Sequence, residues 1–391
     1  MEANAVDLTD FVKLNIKFLH VFGCFFPDFH GPSLKKCAYW VYSVVVVVSL
    51  FGLCFASQIT FFVISYGDFG KMMEVSFLLF TNVAQAFKLY CFLNYGSRIW
   101  NLLHKMNENI FQPRNDVQCD IVESDMRVSK IITKSYLLAC TLTCMSWSIS
   151  PLTEERGGGK MRLPLNGWYP FRTDKSPVFE LIYVYQCLST WLNGVVDISM
   201  NTFISGTIMF ISAQLSILND ELVILGEKVE EDSVRRHFCD HLLRCINHYK
   251  SIIKFANETM SLFSTGITGE FLTAVITFCM SMFQMSLVPI GSYQFFGMCM
   301  YQSCLFAEMF LYCFYGNEVI LKSDKLTQSA FMCGWADAPK EFKQNLIIFM
   351  TRTQFPIELS AAGYFKLSID TFKSIAKTTW SYFAVLKQVY E

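Results

Sequence analysis

Between Lys36 and Asp68 the chain carries no charged residue, and apolar side chains dominate. About 20 apolar residues in a helix cross a hydrocarbon core ~30 Å thick. The pattern therefore predicts a first span over 37–65. A second, over 71–94, holds Glu74 and Lys88, and a third lies between Lys134 and Glu154. The fourth begins near Pro177 and runs to Asn219, with Asp197 inside it. At 1.5 Å per residue those ~40 positions reach about 60 Å, so this helix must project well beyond the bilayer. After a polar stretch over 220–257, the segment 271–307 is again free of charge. It is too long for one crossing and breaks at Val288-Pro289-Ile290-Gly291, a turn signal. Spans five (257–287) and six (292–315) result. A second polar stretch, 317–352, precedes a seventh and weaker span over 360–389.

Charge sets the orientation. The N-terminal segment and the segments 94–134, 215–256 and 316–366 together carry 22 of the 32 Lys and Arg residues. Lys71 and the 152–178 loop carry six, and Lys88, Lys373, Lys377 and Lys387 fall inside spans. The positive-inside rule places the larger set in the cytosol. The N-terminus is then cytosolic and, after seven spans, the C-terminus extracellular.

Composition agrees: 53% of residues are hydrophobic, only 17% are charged, and mean hydropathy is +0.34. Soluble domains carry about a quarter charged residues. A net charge of -1 with no basic block argues against nucleic acid as a partner. Outer-membrane barrels show short alternating segments rather than long apolar runs. The expected fold is an all-α membrane protein. Fifteen Cys, among them Cys54, Cys140, Cys144, Cys279 and Cys299 in apolar stretches, read as small buried hydrophobes. The start, Met1-Glu2-Ala3-Asn4, has no basic region leading into an apolar core, so no cleavable signal peptide is expected.

The seventh span is weak because it is charged. Lys366, Asp370, Lys373 and Lys377 stand at i, i+4, i+7 and i+11, one stripe of a helix that Ser381, Val385 and Gln388 continue. The opposite face holds Leu367, Phe372, Ile375, Ala376 and Phe383. Charges at membrane depth face protein or water. A wet stripe on an otherwise apolar helix suits the wall of a water-filled conduit, and Val385 suits a constriction that closes by dewetting. Lys366 reads instead as a snorkelling residue at the cytosolic mouth. One chain supplies one stripe, so a conduit needs several subunits about an axis.

The chain end is the sharpest motif: Thr378-Thr379-Trp380-Ser381-Tyr382-Phe383-Ala384-Val385-Leu386-Lys387-Gln388-Val389. Its Ser-Tyr-Phe-x-Val-Leu-x-Gln pattern, closing an inverted seven-span protein, resembles the insect odorant receptors. Trp168-Tyr169-Pro170 late in the second extracellular loop agrees, as does Tyr312-Cys313-Phe314-Tyr315-Gly316-Asn317 at the end of span six. The related gustatory receptors close on Thr-Tyr-x5-Gln-Phe, from which Ser381 and Val389 depart. The family's co-receptor carries a long insertion in the second cytosolic segment, which is short here. The chain thus resembles a ligand-tuning subunit.

That resemblance implies a ligand-gated, non-selective cation channel, a heterotetramer with odorant co-receptor subunits, in the plasma membrane of sensory neurons. It places the gate at Val385, with Gln388 and Val389 just outward, and Lys373, Lys377 and Ser381 along the same path. It makes 1–36 a cytosolic segment, 37–315 the six-span bundle, 316–360 a cytosolic anchor packed through Trp335 and Phe342, and 361–391 the pore-lining helix. It puts a pocket for a small, volatile, apolar ligand in the outer half of the bundle, between spans two, three, four and six. Given the topology, the residues there are Phe77, Phe80, Thr81, Cys144, Trp147, Ser148, Tyr185, Leu188, Ser189, Met298 and Tyr301. Aromatic walls with a few hydroxyls suit an apolar ligand oriented by one hydrogen bond. Phe77/Thr81 and Cys144/Ser148 are i, i+4 pairs that share a face.

Other features carry less. His237 and His241 have a metal-compatible spacing but read as part of a solvated cytosolic helix. Gly157-Gly158-Gly159-Lys160 lacks the strand and the Ser/Thr of a phosphate loop. Asp197 and Glu270 are intramembrane carboxylates without nameable partners. No nucleophile–base set is legible, and neither an enzyme nor a cofactor is expected. A secondary transporter would need internal repeats and broken midplane helices. A G-protein-coupled receptor would need the opposite charge distribution and a Cys in the 152–178 loop. A gustatory-type homotetramer is the nearest alternative.

Overall fold

The computed structural model of the chain describes residues 6–27, 33–156, 162–173, 175–225, 234–336 and 338–390. The fold is all-α. The first span is α2 (Ser33–Val46) and α3 (Leu53–Ile64), joined by a π-helical segment, Val47–Gly52. There the Leu53 amide donates to the Val48 carbonyl, one residue further back than in an α-helix. The carbonyls of this segment are met by side chains spaced one turn apart on the fourth span. Tyr185 Oη donates to Ser49 O at 2.7 Å, Ser189 Oγ to Leu50 O at 2.8 Å and Asn193 Nδ2 to Leu50 O at 3.0 Å.

The second span is α4 (Phe69–Asn94), whose first turn is capped by the Asp68 carboxylate accepting from the Lys71 amide. After α5 (Gly96–Met106), α6 (Asp116–Arg156) carries the third span, α7 (Val178–Ile224) the fourth, α8 (Val234–Leu287) the fifth and α9 (Tyr293–Met332) the sixth. Among the described residues, five helices are long and apolar enough to cross a membrane. The more polar α6 and α11 (Ile369–Tyr390) complete the seven. The break between spans five and six falls where Pro289 and Gly291 predict it, with Gly291 at φ 88°. The overhang expected of span four is present: the 47 residues of α7 reach about 70 Å.

α7 is the central post. From Val195 to Leu218 nearly every side chain is buried, as suits a helix without a polar face. α6, α8 and α9 pack around it, and α4 lies along α8. The N-terminal segment is tied to this post rather than trailing from it. Leu8, Phe11, Val12 and Leu19 of the first turn and of α1 (Lys13–Val21) are buried. Asn15 Nδ2 donates to Thr202 Oγ1 at 2.5 Å. Gly206 makes the close approach possible, because a Cβ there would stand 2.8 Å from Val12 Cγ1.

Two sequence boundaries shift. The polar stretch after span six is largely a continuation of α9, which runs unbroken to Met332 before α10 (Lys340–Thr353). Within it Phe342 is fully buried, whereas Trp335 is 38% exposed and donates its indole N–H to Phe331 O. The seventh helix begins only at Ile369, so Lys366 does not belong to its stripe. It lies on a two-residue strand (β2, Phe365–Lys366) paired antiparallel with β1 (Ser360–Ala361) and bonded to Glu358. The turn between them places Ala362 at φ 50° and Gly363 at φ 73°, which ends any helix there. Leu367 then docks on Gly316, where a Cβ would stand 2.5 Å from Leu367 O.

Candidate ligand cavity and final helix

The walls at this end of the bundle are set by helix periodicity. Phe77 and Thr81 share one face of α4, and Tyr301 faces them from α9. Thr81 Oγ1 donates to Phe77 O at 2.9 Å and lies 2.5 Å from Tyr301 Oη. The rings of Phe77, Trp147 and Tyr301 form a three-way cluster, with centroids 5.4–6.0 Å apart. Such tilted and edge-on arrangements align ring edges with ring faces.

Beneath this cluster lies a cavity of about 110 Å³ between α3, α4, α6, α7 and α9. That is space for a small one-ring ligand. Cys54, Leu78, Thr81, Tyr136, Cys140, Cys144, Trp147, Tyr301 and Cys304 contribute to its wall. Its polar lining comes from Gln58, Asn82, Gln85, Thr190 and Asn193, with Asp197 and Glu308 also in the wall. A larger vestibule, about 510 Å³, is lined by Lys71, Glu74, Phe77, Arg162, Gln284 and Met298 among others. The two share Leu78, Trp147 and Leu165. Leu165 is held by Gln186, which donates to its carbonyl at 3.0 Å and accepts from its amide at 3.1 Å. Next to it, Trp168 N donates to Ser57 O and Tyr169 Oη accepts from Gln186, so the Trp-Tyr-Pro motif closes the loop over the bundle.

Of the eleven residues expected around a ligand, Thr81, Cys144, Trp147 and Tyr301 line the inner cavity, and Phe77 and Met298 line the vestibule. The other five line neither. Tyr185 and Ser189 serve the π-helical segment. Ser148 Oγ donates back to Cys144 O, Phe80 is half-buried, and Leu188 is exposed on the outside of α7.

One group was only half legible. Lys88, 1% exposed, places Nζ 2.7 Å from Asn201 Oδ1, 2.8 Å from Glu270 Oε2, 2.8 Å from Glu308 Oε1 and 2.9 Å from Asp197 Oδ1. Tyr312 Oη, from the motif ending span six, donates to Asn201 Oδ1 at 3.0 Å. Four spans thus send one charge each to a single buried point. Isolated charges in separate spans were the signal, since each must find a partner inside the bundle.

The final helix packs by one face only. Phe372, Ile375, Ala376, Phe383 and Leu386 are half-buried and Thr379 is buried. Lys373, Lys377, Ser381, Val385 and Gln388 are all exposed on the single chain, as are Trp380 and Tyr382. The side chain of Val389 lies outside the described residues. Phe372 is the inward anchor, 5.6 Å from the Phe310 ring and 6.5 Å from Phe306. Both of those belong to α9, whose other face carries Tyr301, Cys304, Leu305 and Glu308 into the cavity.

Comparison with known proteins completes the picture. The model of the 7tm odorant receptor family matches residues 68–380. Odorant receptor Or1 of Anopheles gambiae is 24% identical over 347 residues, covering 82% of each chain. Odorant receptor 49a of Drosophila melanogaster is 22% identical, covering 93% of each. The solved structure of the olfactory receptor OR5 from Machilis hrabei in complex with eugenol shares the fold, with a TM-score of 0.84 at 18% identity over 99% of this chain and 100% of that one.

Proposed function

The chain belongs to the 7tm odorant receptor family, and from that membership we propose that it is the odorant-binding subunit of a ligand-gated, non-selective cation channel. In this reading the N-terminus is cytosolic, the ligand sits in the outer half of the bundle, and the final helices of several subunits line the ion path. The partner subunits are odorant co-receptors, and the assembly works in the plasma membrane of sensory neurons.

The observation that carries the proposal is the position of α9. One helix presents Tyr301, Cys304, Leu305 and Glu308 to the cavity and Phe306 and Phe310 to Phe372 of the final helix. A ligand that shifts α9 by a fraction of an ångström therefore acts on α11 through packed rings, since packed interfaces repack rather than deform smoothly. The exposed face of α11, with Val385 58% exposed beside Trp380 and Tyr382, supports a subunit contact and a conduit wall. The aromatic cluster over the cavity supports a small apolar ligand held by one or two hydrogen bonds.

The test is whole-cell current during a panel of volatiles, in cells expressing this chain alone and together with an insect odorant co-receptor. Cation current that needs both chains is the expected result. Robust current from the chain alone would favour a homomeric, gustatory-type channel. No current with the protein at the surface, across a broad panel, would count against the channel reading.

A further inference from the structure

The floor of the inner cavity is short of donors. A lysine ammonium has three N–H groups. Lys88 spends its three on Asn201, Glu270 and Glu308. Asp197 is a fourth claim on that ammonium: its Oδ1 lies 2.9 Å from Lys88 Nζ with no N–H left for it alone, and Asn201 Nδ2 at 3.1 Å is the one donor to its Oδ2 among the described residues. Glu308 likewise receives Lys88 on Oε1 alone. Both carboxylates belong to the cavity wall.

A second, independent observation points the same way. Gln85, 2% exposed, lines the cavity and donates Nε2 to Asn193 O at 3.1 Å. That bond fixes the amide's orientation, so Oε1 is an acceptor, and among the described residues nothing donates to it. Asn193 is oriented in the same way by donating to Leu50 O, which leaves its Oδ1 without a donor. Around this end of the cavity these oxygens take no donor among the described residues, the Thr190 hydroxyl in the same wall is unpartnered among them as well, and one ammonium faces three carboxylates. An occupant that supplied N–H donors and a positive charge would satisfy both deficits. Lys88 Nζ already stands where the carboxylates converge, and the described residues include no cluster able to hold a metal ion. The space left is therefore beside the cluster, on its cavity side.

We infer that this cavity selects small organic amines in their protonated form, with the ammonium directed at Asp197 and Glu308 and the apolar body under Trp147 and Tyr301. The inference rests on the odorant-subunit reading and names the chemical class of its ligand. Neutral volatiles of the same shape fill the aromatic end but leave the acceptors at the floor unmet.

Benzylamine, benzyl alcohol and toluene share one skeleton and test this directly in cells co-expressing the co-receptor. Benzylamine should be at least ~10-fold more potent than the other two, the increment expected of one charge-assisted hydrogen bond. Its potency should fall as external pH is raised through the amine's own pKa, while that of the alcohol stays flat. Asp197→Asn keeps size and the Asn201 contact and should erase the amine's advantage, bringing benzylamine to the potency of benzyl alcohol measured in the same variant. Glu308→Gln is the second variant, should Asp197→Asn fail to reach the surface. Equal potency of the three compounds, silence to benzylamine, or a loss shared equally by all three in the variants overturns the inference. A response to nitrogen-free volatiles alone would leave the odorant-subunit reading standing while removing the amine. Silence to every volatile with surface protein present would fall on that reading itself.

Discussion

Gly297 and Trp147 are in direct contact: a Cβ on Gly297 would stand 2.7 Å from both Cδ1 and Nε1 of the indole. The ring that covers the inner cavity is therefore placed by the absence of a side chain on the facing helix. Alanine improves an exposed helix position by about 1 kcal/mol over glycine, but here it must push Trp147 into the cavity or away from Tyr301. Gly297→Ala should shift ligand potency at least ~10-fold while surface abundance stays near normal, since one such displacement is worth ~1–3 kcal/mol. Dose–response curves with paired surface labelling check this. An unchanged curve would show that Trp147 does not shape the site.

Lys88 holds charges from three other spans. Removing one partner of a buried ionic group leaves the rest uncompensated, at a cost of about 3–5 kcal/mol. Lys88→Met should abolish surface expression and the monodisperse peak in detergent. Neutralising the carboxylates as well, with Asp197→Asn, Glu270→Gln and Glu308→Gln, should recover the fold but not the amine preference. A Lys88→Met protein that folds and responds normally would refute the structural role of the cluster.

Val385 stands on the exposed stripe of α11 with Ser381 and Gln388. If it closes the conduit by excluding water, a hydroxyl there lowers the barrier to wetting. Val385→Ser should produce standing current without ligand, measurable as a rise in holding current that a pore blocker removes. Wild-type closure in that variant would place the gate elsewhere.

Phe372 links α11 to α9 through the rings of Phe306 and Phe310. Phe372→Ala should cut maximal ligand-evoked current several-fold and change the half-maximal concentration little, because the cavity is untouched. Truncating a fully buried Phe costs ~3–5 kcal/mol, and this half-buried one should cost less. A pure shift in potency would mean that Phe372 serves binding rather than coupling.

Outside the membrane, Asp7 anchors the N-terminal segment. Burial by itself would raise its pKa, but hydrogen bonds from Thr9, Asn107 and Lys13 outweigh that and lower it to about 2. The folded value lies below the unfolded value of about 3.9, so the stabilisation is full above ~4 and lost as pH falls toward 2. Asp7→Ala should cost about 1 kcal/mol at neutral pH, the usual worth of an N-cap. It should also flatten the melting temperature of the detergent-solubilised protein between pH 4 and 2. Parallel curves for the two proteins would exclude Asp7 as a source of the acid sensitivity.

Much of this was readable before any coordinates. Pro289 and Gly291 marked the break between spans five and six, and the span-seven stripe from Lys373 to Gln388 is the exposed face of α11. Lys88, Asp197 and Glu270 stood out as charges in apolar runs. Their union did not, because Lys88 meets Glu270 across 182 positions and Glu308 across 220. No local pattern encodes such a distance. Tyr185 and Ser189 show the other failure. They lie in the N-terminal half of span four, but their hydroxyls are drawn to carbonyls of a π-helical segment that nothing in 47–52 announces.

The order of residues alone decided the number of spans, their apolar faces and the bias of positive charge, because a hydrocarbon core imposes length and polarity on each segment separately. Which faces meet was decided only in three dimensions. Contacts such as Gly297 on Trp147, Leu367 on Gly316 and three other spans on Lys88 depend on the relative rotation of helices. That rotation is set by the close packing of the whole bundle at once, not by any single span.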